Sequence, residues 1–246
     1  MKNALILCAG SARRFYTDGE SRPKCLLQIT PEATILDGLI RPLLARGYAV
    51  VLGTGCGHQL VAAHVQQHAE YASVRCVYNP DYATTNSIVT LWKLRDFVGD
   101  NTLIVNGDSV IEESAFDLFT DEATPQVLVK PFPVFDEDTY RVVFDEQGSV
   151  ARMGKDISDE PAPGCQAFVG ISRVGNSELF LREIENLLQG GTRDTWPTTA
   201  YRNSIGQVPV RAHSIGDIRY FDVDTPEEFE AARHSIAAVE QAASSS

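Results

Sequence analysis

The first half of the chain alternates short apolar runs with amphipathic stretches. Residues 4–9 form a continuous apolar run, which is typical of a parallel strand covered on both faces. Apolar residues recur at helical spacing over 34–46; Pro42 inside this pattern favours a kink, and Gly47 suits the helix C-terminus. The same reasoning predicts strands at 49–52, 73–78 and 102–105, and helices at 59–68 and 87–97.

The second half is rich in strand patterns before it returns to helix. It predicts strands at 126–131, 140–145, 150–153, 166–172 and 208–213, and helices at 177–188 and 226–238. The order of these units predicts an α/β fold: a single-domain, Rossmann-like three-layer sandwich in which helices flank a mostly parallel mixed sheet. We place the domain at 1–240, with a core at 1–125 and 205–240, a small β-rich insertion at about 126–204, and a disordered tail at 241–246.

Charge and cysteine usage narrow the classes of function. The formal net charge of −12 argues against nucleic-acid binding, which needs a basic surface. No apolar stretch approaches the roughly 20 residues of a membrane span, and the first apolar run is too short for a signal peptide. Five scattered cysteines without a C-x-x-C pair suggest neither a zinc site nor a disulfide framework. Reduced thiols in a cytoplasmic protein are the simplest interpretation, and a homodimer is compatible with the sequence.

A small-residue turn follows the first predicted strand and is followed by basic residues. Such a turn at a strand tip exposes backbone N–H groups that can bind phosphate oxygens. Arg14 and Lys24 would neutralise a triphosphate from two sides, and Pro23 fixes the backbone just before Lys24. The spacing is neither that of a Walker A motif nor that of the dinucleotide glycine pattern. The alternative is an ordinary strand–loop–helix connection with surface arginines.

This segment resembles a known family. LILCAGSARRF followed by RPKCLLQI is similar to L-A-A-G-x-G-x-R-[FM] and P-K-x-L, the signature of nucleotidyltransferases with the sugar-nucleotide-transferase type fold. Cys8 replaces the usual Ala and Ala12 the usual second Gly, which demands a negative φ or a small shift of the loop. The resemblance implies catalytic roles for Arg14 and Lys24. It also implies nucleotide contacts from these two and from Leu7, Ala9, Gly10, Ser11 and Ala12.

Two aspartates at opposite ends of the chain extend the resemblance. Gly107 and Asp108 follow a short apolar strand, and Asp222 and Asp224 precede a Thr-Pro helix start. The family pattern implies that Asp108 and Asp224 bind Mg²⁺, with Asp222 in support near the acceptor and Gly107 at the nucleotide. Mg²⁺ prefers oxygen ligands and would offset the charge that develops as an oxygen attacks the α-phosphorus. Alternatively, Asp224 is simply the N-cap of the last helix.

The segment NPDYATTNS at 79–87 closely resembles N-P-x-Y-x-x-[TS]-N-[NS]-x-x-S-L of the phosphocholine and aminoethylphosphonate cytidylyltransferases. Thr90 stands where Ser is usual. The resemblance implies that Thr85, Asn86 and Ser87 lie over the base and read a pyrimidine edge, which favours CTP. A second interpretation, compatible with the first, makes these residues the N-terminal cap of the following helix.

The acceptor is predicted from the β-rich insertion. Lys155 matches a lysine that meets the acceptor phosphate or phosphonate in the resembling enzymes; otherwise it is a solvated turn lysine. Trp196 offers a cation–π face and Asp194 a counter-charge for an amine, but the glutamate usual in this region is missing, and Trp196 is equally a candidate core residue. A zwitterionic amino-acid phosphate or a hydroxyalkyl phosphonate therefore also fits. The histidines do not form a ligand set, and we assign them no catalytic role: His58, His64, His68, His213 and His234.

Four separated segments thus follow the order of one family. They predict a Mg²⁺-dependent cytidylyltransferase that joins CTP to a small phosphorylated or phosphonate acceptor, such as phosphocholine or aminoethylphosphonate, and releases pyrophosphate. Because the acceptor is already an anion, no general base is required, and the main task is to hold two anions together. Alternatives are a sugar-1-phosphate nucleotidyltransferase using another NTP and a non-catalytic nucleotide-binding regulator. A Rossmann dehydrogenase is disfavoured because Gly53-Thr54-Gly55 stands where an acid is needed.

Overall fold

The computed structural model describes residues 2–10, 15, 22–119, 123–132, 139–157 and 164–244, with only the backbone for 239–244. The strands are β1 (Asn3–Cys8), β2 (Gln28–Thr30), β3 (Ala33–Thr34), β4 (Ala49–Thr54), β5 (Arg75–Tyr78), β6 (Leu103–Asn106), β7 (Ser109–Ile111), β8 (Gln126–Lys130), β9 (Arg141–Phe144), β10 (Val150–Gly154), β11 (Cys165–Arg173), β12 (Arg211–Ser214) and β13 (Tyr220–Asp222). The helices are α1 (Ile35–Ala45), α2 (His58–Gln67), α3 (Ser87–Lys93), α4 (Ser177–Gln189), α5 (Thr198–Ser204) and α6 (Pro226–Ser244).

Nine of the described strands form one mixed sheet. Its main path runs β10-β9-β11-β6-β1-β4-β5, and β8 and β12 extend it beside β11. Strands β1, β4, β5 and β6 are parallel, whereas β11 joins β6 antiparallel. The chain order changes direction on the two sides of β1, and ligands of open α/β sheets bind at the carboxyl ends of strands beside such a point. The predicted α/β architecture is confirmed.

Strand β1 forms because both of its faces are buried. Leu5 and Leu7 pack into the hydrophobic cluster on one side of the sheet, while Ala4 and Ile6 pack into the cluster on the other. Such a strand appears in a sequence as a continuous apolar run. The register places Ile6 opposite Leu52 of β4 and Val105 of β6, so three parallel strands end at the same edge.

Helix α1 begins with a capping box. The Thr34 hydroxyl accepts a hydrogen bond from Asp37 N at 3.2 Å, and the Asp37 carboxylate accepts one from Thr34 N at 2.8 Å. These two contacts satisfy N–H groups that would otherwise be orphaned at the helix start. Pro42 lies within the helix, as the sequence pattern predicts.

The β-rich segment 126–204 extends the main sheet, since β11 pairs with β6 and β8 pairs with β12. The predicted strand at 208–213 starts only at Arg211, because Pro209 cannot donate a ladder hydrogen bond. Helix α5 was not predicted; its Thr-rich sequence is a weak helix former, and burial of Ala200 and Tyr201 stabilises it. Helix α6 continues through Ser244, beyond the boundary predicted at 240, as its alanines allow.

The described residues bear on two further features, the state of the cysteines and the length of the apolar helices. All five cysteines lie in described segments, and they form no disulfide, as predicted. No helix of the described segments is long and apolar enough to cross a membrane.

Candidate active site

A cleft of about 850 Å³ opens at the carboxyl edge of the parallel strands. It is walled by the end of β6, the loop before α3, the turn after β10, and the segment from β13 into α6. This single cleft is lined by residues from every predicted segment that the structure describes. They are Gly10, Lys24, Thr85, Asn86, Asp108, Lys155, Trp196, Asp222 and Asp224.

Other predicted residues have different positions. Leu7 and Ala9 lie beneath the cleft, where their carbonyl oxygens accept hydrogen bonds from Gly107 N and Cys56 N at 3.0 and 3.1 Å. Ser87 and Asp194 do not line the cleft either. The predictions for Ser11, Ala12 and Arg14 fall outside the described residues.

Lys24 lies between the two predicted metal ligands. Its Nζ is 2.5 Å from Asp224 Oδ1 and 3.1 Å from Asp108 Oδ2, and the lysine side chain is only 12% exposed. Burial acts to lower the pKa of Lys24, but the charges of Asp108 and Asp224 and their hydrogen bonds outweigh it, so the pKa is raised. Lys24 is therefore a cation held at the junction of two carboxylates.

A short two-stranded ladder brings the aspartates together. Strand β7 follows Asp108 and pairs antiparallel with β13, so that Ser109 lies opposite Asp222. Val223 N also donates to Asp108 O at 3.1 Å. Gly107 is required before Asp108, because a Cβ there would lie 2.8 Å from Leu7 O and 3.0 Å from the Cys8 Cα. The close approach of this turn to β1 fixes where the Asp108 carboxylate enters the cleft.

Asp224 is not the cap of the last helix. The Thr225 hydroxyl accepts from Glu228 N at 3.2 Å, and Glu228 Oε2 accepts from the backbone N–H groups of Asp224 and Thr225 at 2.8 Å. This reciprocal arrangement is a capping box centred on Thr225. The alternative role for Asp224 is therefore wrong, and its carboxylate is directed to Lys24 instead.

Negative charge exceeds positive charge among the described residues of the cleft. Asp108, Asp222, Asp224 and Glu228 face Lys24 and Lys155. Burial, followed by repulsion from Asp108 and Asp224, raises the pKa of Asp222 well above its usual range, although the residue still reaches solvent. A nucleotide triphosphate entering this cleft would therefore need further cations. The paired oxygen donors of Asp108 and Asp224 fit a hard divalent ion such as Mg²⁺, because this ion is usually bound through one or two carboxylates.

The loop before α3 is held by its own hydrogen bonds. Buried Asn79 donates from Nδ2 to Thr90 Oγ1 at 3.0 Å and accepts from Asp81 N at 3.0 Å. Asn86 caps α3, since its Oδ1 accepts from Ser87 N at 2.7 Å. The predicted capping role is thus confirmed for Asn86, and both Thr85 and Asn86 reach the cleft.

Thr90 also explains the glycine at position 53. A Cβ on Gly53 would lie 2.5 Å from the Thr90 methyl group. The hydroxyl of Thr90 accepts from Asn79, and its methyl occupies the space above β4. Thr90, which replaces the usual serine, therefore holds the loop before α3 against the sheet.

The segment around Trp196 is tied to the start of α3. Asn86 Nδ2 donates to Asp194 Oδ1 at 3.3 Å, and Asn86 N donates to Arg193 O at 2.9 Å. Asp194 thus contacts the cap of α3 and does not line the cleft, where a counter-charge for the acceptor was predicted. The Asp194 carboxylate nevertheless orients Asn86, and Asn86 does line the cleft.

Lys155 and Trp196 contact each other across the cleft. Lys155 Nζ lies 4.4 Å from the centre of the Trp196 ring, and Trp196 is 37% exposed. The interpretation of Trp196 as a core residue is therefore wrong. The turn that carries Lys155 is anchored by a bidentate pair in which Arg202 donates to both Asp156 oxygens at 2.9 and 2.8 Å.

The wall of the cleft also contains aromatic side chains that the sequence pattern did not identify as site residues. Tyr82, Phe132, Tyr140 and Phe168 line the same cleft, and the Tyr140 and Phe168 rings meet edge to face with centroids 6.3 Å apart. They come from separate strands and loops and have no common spacing. The alignment of β8, β9 and β11 in the sheet brings Phe132, Tyr140 and Phe168 together, and the loop before α3 adds Tyr82.

Comparisons with known proteins extend these observations. None of the protein-family models matches the chain. A CMP-5'-(3-aminopropyl)phosphonate synthase from Streptomyces rubellomurinus is 30% identical over 245 residues, which cover 91% of this chain and 37% of that protein. The chain therefore spans little more than a third of the length of this relative.

Solved structures share the architecture at low identity. The CTP:phosphocholine cytidylyltransferase LicC from Streptococcus pneumoniae has a TM-score of 0.77 at 18% identity, over 95% of this chain and 98% of that chain. A UDP-glucose pyrophosphorylase complexed with UDP-glucose has a TM-score of 0.79 at 14% identity, over 97% and 99%. These neighbours are nucleotidyltransferases, and at such identities they establish the fold. The chain has the nucleotidyltransferase fold that its four sequence segments predicted.

Proposed function

We propose that the chain transfers a cytidylyl group from CTP to a small phosphorylated or phosphonate acceptor and releases pyrophosphate. One observation carries the proposal: Lys24 joins Asp108 and Asp224 in the same cleft that holds Lys155. Two anions must be brought together in such a reaction, and Lys24 and Lys155 are two cations that line the cleft where we place it.

The nucleotide would lie on the β1 side of the cleft. Gly10 lines the cleft, and no atom of the described residues lies within 4 Å of a Cβ built there, which would leave space for phosphate oxygens. Lys24 would exchange carboxylate contacts for contacts with the triphosphate, and Arg14 is proposed to assist it. Thr85 and Asn86 would supply donors and acceptors to the pyrimidine edge. Ser87 is proposed to assist them from the first turn of α3.

Asp108 and Asp224 would hold Mg²⁺ through their carboxylate oxygens. When bound, this ion would offset negative charge at the α-phosphate and on the leaving pyrophosphate. Asp222 lies beside both carboxylates and would support them without binding the ion itself. Lys24 would remain close by and balance charge as the nucleotide enters and leaves.

The acceptor would approach from the β-rich side. Lys155 would bind its anionic group and orient an oxygen for in-line attack on the α-phosphorus. The attacking oxygen already carries negative charge, so its electron pair forms the new bond as the bond to pyrophosphate breaks, with no proton to remove. Trp196 and the aromatic wall would contact the other end of the acceptor, where a cationic amine would gain cation–π stabilisation.

Two of the compared proteins support the choice of nucleotide and acceptor. One is named as a CMP-aminopropylphosphonate synthase and the other as a CTP:phosphocholine cytidylyltransferase. Both names describe cytidylyl products of small phosphonate or phosphate compounds. The relative at 30% identity favours a phosphonate acceptor with an aminoalkyl chain.

Pyrophosphate release across the four NTPs tests the proposal. We expect turnover with CTP and Mg²⁺ in the presence of aminoalkylphosphonates or phosphocholine, and little with ATP, GTP or UTP. Each acceptor is also incubated without nucleotide, and each NTP without acceptor, to exclude hydrolysis. CTP binding without pyrophosphate release for any acceptor would instead indicate a nucleotide-binding regulator.

A sugar-1-phosphate nucleotidyltransferase is the second candidate. The similarity in fold to UDP-glucose pyrophosphorylase supports it. The same assay separates the two, since turnover with UTP and glucose 1-phosphate, but not with CTP and a phosphonate, would overturn the cytidylyl proposal.

A further inference from the structure

Outside the cleft, a second group of potential ligands joins α1 to the end of α2. Asp37, His64 and His68 each offer one ligand atom, and these atoms all lie within 4.8 Å of one another. None of the three lines the active-site cleft. The sequence alone indicated no ligand set among the histidines, because Asp37, the partner that the fold supplies from α1, is 27 residues away from His64 in the chain.

Helical spacing brings the two imidazoles together. His64 and His68 are four residues apart on α2 and its C-terminal cap, and their ring centroids are 4.8 Å apart. Two histidines at this spacing on one helix face are a recurrent zinc-binding arrangement. Their side chains are 16% and 29% exposed, so an ion can reach them from solvent.

The carboxylate of Asp37 completes the group from the first turn of α1. Its Oδ1 lies 2.9 Å from His64 Nε2, close to the spacing of two ligand atoms on one small cation. Its Oδ2 accepts from Thr34 N at 2.8 Å and from the Thr34 hydroxyl at 2.7 Å. The capping box therefore holds one oxygen in place and leaves the other facing the histidines.

Outer contacts orient the ligands as they do in metal sites. His68 Nδ1 lies 3.3 Å from Glu70 Oε1, which leaves Nε2 for an ion. Metal-binding histidines usually donate their second ring N–H to a carboxylate in this way. Tyr71 stacks on His68 at a centroid distance of 5.0 Å and donates to Asp37 Oδ1 at 2.7 Å. Arg41 is the nearby cation whose charge acts on Glu70 and Tyr71.

We propose that Asp37, His64 and His68 bind one divalent transition-metal ion of the zinc class. Two imidazole nitrogens and one carboxylate oxygen suit such an ion, whereas Mg²⁺ prefers oxygen ligands alone. Three protein ligands leave a position for water on the exposed side. The ion would tie the start of α1 to the end of α2, and none of its three ligands is among the described residues that line the cleft.

Metal titration of the whole chain tests the site. The protein is stripped with a chelator, and Zn²⁺ or Co²⁺ is titrated in excess Mg²⁺, which competes for oxygen-only sites. For the wild type we expect one ion per chain and a higher Tm with Zn²⁺. The bound Co²⁺ should give the visible absorption spectrum of an ion with few ligands, including nitrogen.

His68→Ala and His64→Ala should each remove the Co²⁺ spectrum and the Tm gain. Glu70→Gln should weaken binding by about 10-fold, as expected of an outer-shell partner.

Matched controls separate this site from others. His234→Ala removes an exposed histidine of α6 and should bind like the wild type. Asp108→Ala should also retain the Co²⁺ spectrum, whether or not the proposed transferase activity exists. Circular dichroism confirms that the variants are folded. Wild-type protein that binds no Co²⁺, or binds it as His68→Ala does, would show that the cluster is only a hydrogen-bonded helix contact.

Discussion

Lys24 and Asp224 are 200 residues apart in the chain, yet the lysine Nζ lies 2.5 Å from the aspartate Oδ1. Asp108 shares the same ammonium group at 3.1 Å. Lys24 thus bridges two carboxylates that would otherwise repel each other, and its single positive charge offsets one of their two negative charges. This contact joins the loop after β1, the turn after β6 and the segment before α6 in one charge network.

Replacing Lys24 with alanine should nearly abolish turnover. The variant loses a cation at the triphosphate and leaves Asp108 and Asp224 uncompensated, so we expect kcat/KM to fall by at least about 100-fold. Initial rates of pyrophosphate release measure the change. Lys2→Ala is the matched control, because Lys2 contacts Tyr48 rather than the cleft. Near-normal activity of Lys24→Ala would remove this residue from the mechanism.

Removing either proposed metal carboxylate should be comparably damaging. Divalent ions contribute several kcal/mol at charged transition states, so Asp108→Ala and Asp224→Ala should lose about 1,000-fold or more in kcat. Chelation of Mg²⁺ from the wild type should produce a similar loss that added Mg²⁺ reverses. Asp117→Ala is the control, since Asp117 pairs with Arg46 at 2.7 Å outside the cleft. If both site variants turned over like Asp117→Ala, the metal assignment would fail.

The sequence predicted the parallel core well because its signals are local. A buried strand such as β1 appears as an apolar run, and α1 carries its own capping residues. The individual site residues lay in recognisable sequence segments. The contacts between these residues, however, could not be predicted from the segments. Lys24 at the junction of two aspartates, and Trp196 against Lys155, arise from long-range packing. The histidine cluster was missed for the same reason, since Asp37 approaches from another helix.

The stability of the loop before α3 should be coupled to that of strand β4. Gly53→Ala places a methyl 2.5 Å from the Thr90 methyl and 3.0 Å from Leu94 Cδ1, so overpacking should cost about 1–3 kcal/mol. Thr90→Ser keeps the hydroxyl that accepts from Asn79 and removes the clashing methyl. In the double variant the two losses should therefore be less than additive, with a coupling of at least about 0.5 kcal/mol.

Urea unfolding of the four proteins in this cycle measures the coupling. Gly38→Ala is the control for a glycine change. Gly38 is on the exposed side of α1, and no atom of the described residues lies within 4 Å of the new Cβ, so the change should be neutral or stabilise by up to about 1 kcal/mol. Additive losses in the cycle would mean that Thr90 does not carry the contact between the loop and β4.

Trp196 should affect the acceptor and not the nucleotide. It lies against Lys155 on the β-rich side of the cleft and is 37% exposed, so its truncation should not collapse the core. Trp196→Ala should raise the KM for a cationic acceptor by about 5-fold or more, because cation–π contacts contribute about 1 kcal/mol. Trp196→Phe should retain part of that affinity, and the KM for CTP should stay unchanged in both. Lys155→Ala should lower kcat/KM for the acceptor further, since it removes the charge that binds the anionic group. Equal increases in the KM for CTP and for the acceptor would instead assign Trp196 to the general shape of the cleft.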